Sequence, residues 1–310
     1  MTVSRSMRTA WSAMAPCAAV CLLLLRCAFA QEAAVASKTG RYFTVTCEGG
    51  DERMAEQALA VVEPVWPLVC AAFGLQAAKP SKPMSVVLYR NLEDYLAADQ
   101  RLTGGQFQPN QAMSHWSSMS AHVALQPPCT TASLKQHGLP MQTQALLSWE
   151  ACHVARFALC ENFRGHPGWF HDGLAAATAQ QVLRDLNPTA QRQPFFSQRW
   201  RRVHDLFASR DMPKVADLLS DHTQGLDMRD RYAARIVFYE FVRERHPDKL
   251  MDVAKIIRSV RAGSTYAKTV SEASLQSLGS LDEEFEEHVQ KGQPAWDETI
   301  RSLWQVGTQW

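Results

Sequence analysis

The chain has 310 residues, enough for one large domain or two ordinary ones. Hydrophobic residues make up 46% and charged residues 20%, a globular composition that excludes a disordered chain. The formal net charge is +1 and no basic stripe interleaves with aromatics, which argues against nucleic acid or an anionic membrane as the partner.

Residues 1–30 have the grammar of an export signal. Arg5 and Arg8 give a positive start, Ala15 to Leu25 is a short apolar run, and Ala28-Phe29-Ala30 is a small-x-small cleavage site before Gln31. The run is far shorter than the roughly 20 residues that span a bilayer, so no stable membrane span is expected after cleavage. The expected address is exported: periplasmic, cell-surface or extracellular. Of the 8 cysteines, Cys17, Cys21 and Cys27 leave with the signal, and Cys47, Cys70, Cys129, Cys152 and Cys160 remain. An odd set leaves a thiol unpaired. Cys152 and Cys160 fall on one expected helix about 12 Å apart along its axis, too far for a disulfide.

A polar leader covers residues 31–39. Arg41 to Cys47 alternates as a strand does, and Glu48-Gly49-Gly50-Asp51 turns it. Glu52 to Phe73 carries apolar residues at helical spacing, with Pro64 and Pro67 splitting or kinking the helix and Gly74 stopping it. Met84 to Tyr89 predicts a buried strand, Asn91 caps a short helix, and Gly104 to Gln111 is a loop. Ala112 to Gln126 predicts one or two strands ending at Pro127-Pro128. From Leu139 the period becomes 3.6. Helices are expected over Leu139 to Cys160, Trp169 to Leu186, Ser197 to Ala208, Val215 to Leu219, Arg229 to Glu244, Lys249 to Val260 and Leu281 to Val289. Strands lead and helices follow, so the expected class is α+β. The parts are an N-terminal α/β region over 40–138, a helix pair over 139–187 and a helical region over 188–310.

The chemistry-bearing segment is Trp149-Glu150-Ala151-Cys152-His153, followed by Pro167-Gly168-Trp169-Phe170-His171-Asp172-Gly173-Leu174-Ala175. Positions 149, 150 and 153 share one helix face. In an H-E-x-x-H helix two histidines four apart grip zinc and the glutamate acts as general base. A third ligand follows from a later helix, and Asp172 stands 19 residues after His153.

These motifs resemble the peptidase MA-like domains of the thermolysin-type (gluzincin) zinc metallopeptidase clan. The phrase Pro-x-Trp-Phe-x-Glu-Gly-Leu-Ala of that clan is matched by Pro167 to Ala175, with Asp172 for Glu. The strand around Arg41 to Gly49, the Val87-Leu88-Tyr89 strand end, the Asn91 to Tyr95 step, Tyr232-Ala233-Ala234 and Leu278 to Phe285 extend the likeness over roughly residues 40 to 290. The resemblance implies a zincin-like fold, Glu150 at the general-base position, and His153 and Asp172 at ligand positions. It also implies a cleft-facing hydroxyl at Tyr232. Trp149 stands where the first histidine belongs, and an indole N–H cannot bind a cation. The expectation is an inactive or impaired metallopeptidase homologue, with zinc absent or weakly bound, that binds peptide by adding it to the strand around His122 to Leu125. The alternative is an active zinc peptidase with a substitute ligand. His166 lies in the loop between the helices. His171 and Cys152 adjoin ligand positions but point about 100° round the helix, and His115, His122 and His137 precede it. A cysteine hydrolase using Cys152 or Cys160 is a further, weaker alternative.

Overall fold

The computed structural model describes residues 35–50, 52–81, 83–106, 111–125, 138–160, 167–186, 194–223, 225–259 and 266–292. The expected signal peptide, Cys129, His137 and His166 lie outside these residues.

Strands β1 (Val35–Thr39) and β2 (Phe43–Glu48) form an antiparallel pair. Helices α1 (Glu52–Val62) and α2 (Val65–Ala72) follow, separated where Pro64 removes a backbone donor. The Glu63 carboxylate accepts from the backbone N–H groups of Arg41, Tyr42 and Phe43 at 2.9–3.2 Å, tying this break to the start of β2. Strand β3 (Met84–Tyr89) then runs parallel to β2. Asn91 caps α3 (Leu92–Thr103) by accepting from the Asp94 N–H at 2.8 Å. Strands β4 (Ala112–His115) and β5 (Ser120–Ala124) are antiparallel neighbours.

The sheet order is β1-β2-β3-β5-β4, so β5 pairs with β3 on one side and β4 on the other. This corrects the expectation that a peptide would add to the strand around His122 to Leu125. Among the described residues the edge on that side is β4. Val35–Thr39, within the expected polar leader, is a strand whose side chains are exposed or half-buried. Such a strand lacks the apolar alternation by which strands are read.

Inward residues of β2 and β3 (Phe43, Val45, Cys47, Met84, Val86, Leu88) meet α1, α2 and the long helix α4 (Met141–Leu159) in the main core. On the other face, Tyr89, Met113 and Ala124 pack with Tyr95 and Ala98 of α3. Helix α5 (Gly168–Leu186) lies between α4 and α8 (Met228–Arg245). A Cβ on Gly173 would sit 2.1 Å from Tyr239 Cβ, so this glycine permits the close approach of α5 and α8. The remaining helices are α6 (Pro194–Ser209), α7 (Val215–Leu219), α9 (Pro247–Ser259), α10 (Tyr266–Leu278) and α11 (282–292). The sheet leads and the helices follow, so the fold is α+β. No helix among the described residues is long and apolar enough to cross a membrane.

Candidate functional site

Helix α4 places Trp149, Glu150 and His153 on one face, with Glu150 turned to the edge strand β4 and Trp149 and His153 turned to α5. Glu150 is 8% exposed and hydrogen-bonds Ser114, the inward residue of the edge strand. Burial raises its carboxyl to about 8, only partly offset by the Ser114 bond. His153 is also buried, and burial with the nearby Arg156 holds its imidazole well below the usual range, so it is neutral. Its Nδ1 is buried without a hydrogen-bond partner.

The Trp149 ring stands edge-on to His153, with centroids 5.8 Å apart, and the Arg199 guanidinium lies over it at 4.9 Å. Trp149 is half-buried, packing against the core while carrying a cation on its outer face. His171 stacks on His153, with ring centroids 4.0 Å apart and planes 13° from parallel. The helix-wheel expectation that His171 points away is therefore corrected: the crossing of α4 and α5 brings the rings face to face. Nitrogen lone pairs lie in the ring planes, so nearly parallel stacked imidazoles do not aim at one ion.

Asp172 is buried, and its Oδ2 accepts from Arg235 Nη1 at 3.1 Å. Arg235 Nη2 in turn donates to Asp221 Oδ1 at 3.0 Å, and both Asp221 oxygens accept from the Gly168 N–H at 3.1 Å. A Cβ on Gly168 would fall 2.4 Å from Arg235 Cζ, so the absence of a side chain there lets the guanidinium reach the start of α5. Burial pushes the Asp172 carboxyl up to about 6 while Arg235 pulls it down. Tyr232, one turn before Arg235 on α8, is 39% exposed. Burial and the Asp172 carboxylate raise its hydroxyl, while Arg235 lowers it.

The structure thus brings Trp149, Glu150, His153, His171, Asp172 and Tyr232 into one region. It does not bring Glu150, His153 and Asp172 into mutual hydrogen bonding, because Glu150 turns to Ser114 and Asp172 to Arg235. Among the described residues no group of three or more His, Cys, Asp or Glu side chains converges as a metal cage. A divalent cation on Asp172 would lie beside a guanidinium already bound to that carboxylate, so the donor set present does not fit zinc. His115 and His122 belong to the sheet's opposite side, through His122's bond to Tyr89. Burial pushes the Cys152 thiol up to about 12 and the Cys160 thiol up to about 11, the opposite of what a thiolate nucleophile needs.

Sequence reasoning missed Ser114, Arg199, Asp221 and Arg235. One signal was present: Arg235 lies three residues after Tyr232, hence on the same helix face. No protein-family model matches the sequence, and no curated protein matches it.

Proposed function

We propose that this protein is an exported zincin-like homologue that binds an extended peptide in its cleft without metal-dependent hydrolysis. The observation that carries this reading is the Arg235 guanidinium on Asp172, at the position where the resemblance places a carboxylate ligand. Trp149 removes a second ligand position, and its indole carries the Arg199 guanidinium at 4.9 Å. Among the described residues the outer side of the edge strand β4 pairs with no further strand, which makes it a template for strand addition. Glu150 lies below it and is bound to Ser114, so it braces the edge strand.

The test is a screen of unstructured decapeptides with the mature chain, read by fluorescence anisotropy and by mass spectrometry of the peptides after incubation with added zinc. The reading expects saturable binding with every peptide recovered intact. Cleavage that scales with zinc occupancy and stops in chelator would overturn it and favour the active-peptidase alternative.

A further inference from the structure

On the face of the sheet away from α4, five side chains form one hydrogen-bonded line. Tyr89 Oη lies 2.8 Å from His122 Nδ1, and His122 Nε2 lies 2.8 Å from Ser120 Oγ. Ser120 Oγ lies 2.6 Å from Ser118 Oγ, and Ser118 Oγ lies 2.7 Å from His115 Nδ1. The line is set by strand geometry. Ser120 and His122 alternate onto one face of β5, Ser120 is registered opposite His115, and Tyr89 shares that face from β3.

The buried end limits which atoms can donate. Tyr89 is 1% exposed, and burial raises its hydroxyl, so it keeps its proton and is able to donate it. Burial lowers His122 to about 4, so this imidazole is neutral, with one accepting and one donating nitrogen. With Tyr89 as donor to Nδ1, His122 Nε2–H donates to Ser120, Ser120 donates to Ser118, and Ser118 donates to His115 Nδ1. In this polarity each serine hydroxyl of the line gives one proton and receives one, and the line ends on an accepting nitrogen. In that tautomer His115 Nε2 carries the proton and faces Ser117 Oγ at 3.5 Å, with Ser117 Oγ also 3.4 Å from Nδ1.

Burial falls along the line. Ser120 and His122 are 5% and 6% exposed, whereas Ser118 is exposed at the turn, beside Trp116 at 45%. Met119 holds a left-handed φ of 51°, a costly conformation for this residue, and it folds Ser118 back toward Ser120. A serine that donates to a histidine while its oxygen is held by a second donor is arranged as a base-assisted nucleophile.

We propose that Ser118 is a nucleophile, with His115 as its general base, that accepts acyl groups from small esters bearing an apolar or aromatic group able to rest on Trp116. Ser118 Oγ would attack the ester carbonyl as its proton passes to His115 Nδ1. The C–O bond to the alcohol then breaks, and the alcohol leaves with that proton. Water attacks the acyl-serine, giving His115 its proton. The acid is released as the proton returns to Ser118 Oγ. Ser120, His122 and Tyr89 are positioning residues that fix the direction of donation.

The experiment treats the mature chain with an aryl fluorophosphonate, which forms an Oγ–P bond and expels fluoride while the base takes the proton. Adducts are mapped by peptide mass spectrometry. The expected result is one adduct, on Ser118, formed on the order of 100-fold faster than in a folded His115→Phe variant, the span usual for a general base. Ser120→Ala should slow labelling of the parent chain but not of the His115→Phe chain, a non-additivity that a purely structural role would not give. Equal rates in the parent and His115→Phe chains would overturn the proposal. So would an adduct spread over Ser117, Ser118 and other surface serines at the rate of an unstructured serine peptide.

Discussion

A single guanidinium decides what Asp172 can do. Its side chain is 14% exposed and bridges Asp172 and Asp221 at 3.1 and 3.0 Å, so removing it strands one buried carboxylate and frees the start of α5. Arg235→Met should therefore lower the urea unfolding free energy by about 3 kcal/mol, the usual scale for breaking a buried pair. Asp172→Asn keeps an acceptor for Arg235 and should cost less in the same titration. Glu150 gives a pH signature. Its folded carboxyl titrates near 8 against an unfolded value near 4.5, so the folded chain holds a proton that the unfolded chain releases between these values. Stability from this group is full below the unfolded value and falls as pH rises to 8. The neutral His153 and His122 act oppositely, but only below about pH 6.5, where unfolded histidines protonate. Between pH 6.5 and 8 the parent chain should therefore lose stability relative to Glu150→Gln, by on the order of 1–3 kcal/mol. Parallel pH profiles for the two chains would contradict this.

At the scale of elements, the sequence announces what has a strong local cause. The α4 and α5 helices are legible from apolar period, and α3 from Asn91, which does cap it, with Leu92, Tyr95 and Leu96 at helical spacing. Ser197 is the expected start of α6, yet Pro194 opens it, a position where a missing N–H costs nothing. Helix α10, Tyr266–Leu278, is unheralded because serine and threonine interrupt its apolar stripe. Sheet order is not a local property: nothing in Ser120–Ala124 says that it will insert between β3 and β4. The tight crossing of α5 and α8 is legible only as small residues after Asp172. Gly173→Ala tests it, because the new methyl meets Tyr239 Cβ at 2.1 Å. The expected loss is about 1–3 kcal/mol in thermal or urea unfolding, the range for overpacking a tight contact.

At the scale of the whole molecule, the site joins segments that sequence spacing cannot relate. Trp149, Glu150 and His153 are legible together because one helix face joins them, and Asp172 follows 19 residues after His153. Arg235 reaches Asp172 from 63 residues away, and Ser114 reaches Glu150 from the edge strand, so both appear only once the chain is folded. Of the positions that the resemblance assigns, Asp172 is bound by an internal cation and Glu150 is bound to the edge strand. The most direct measurement is zinc bound per chain after equilibrium dialysis of Trp149→His and of Trp149→His with Arg235→Met, both shown folded by circular dichroism. The account predicts well under one equivalent for the single variant, because Arg235 still holds Asp172, and close to one for the double variant, where two histidines and the freed carboxylate complete a three-ligand set. One full equivalent on the single variant, or none on the double, would contradict it.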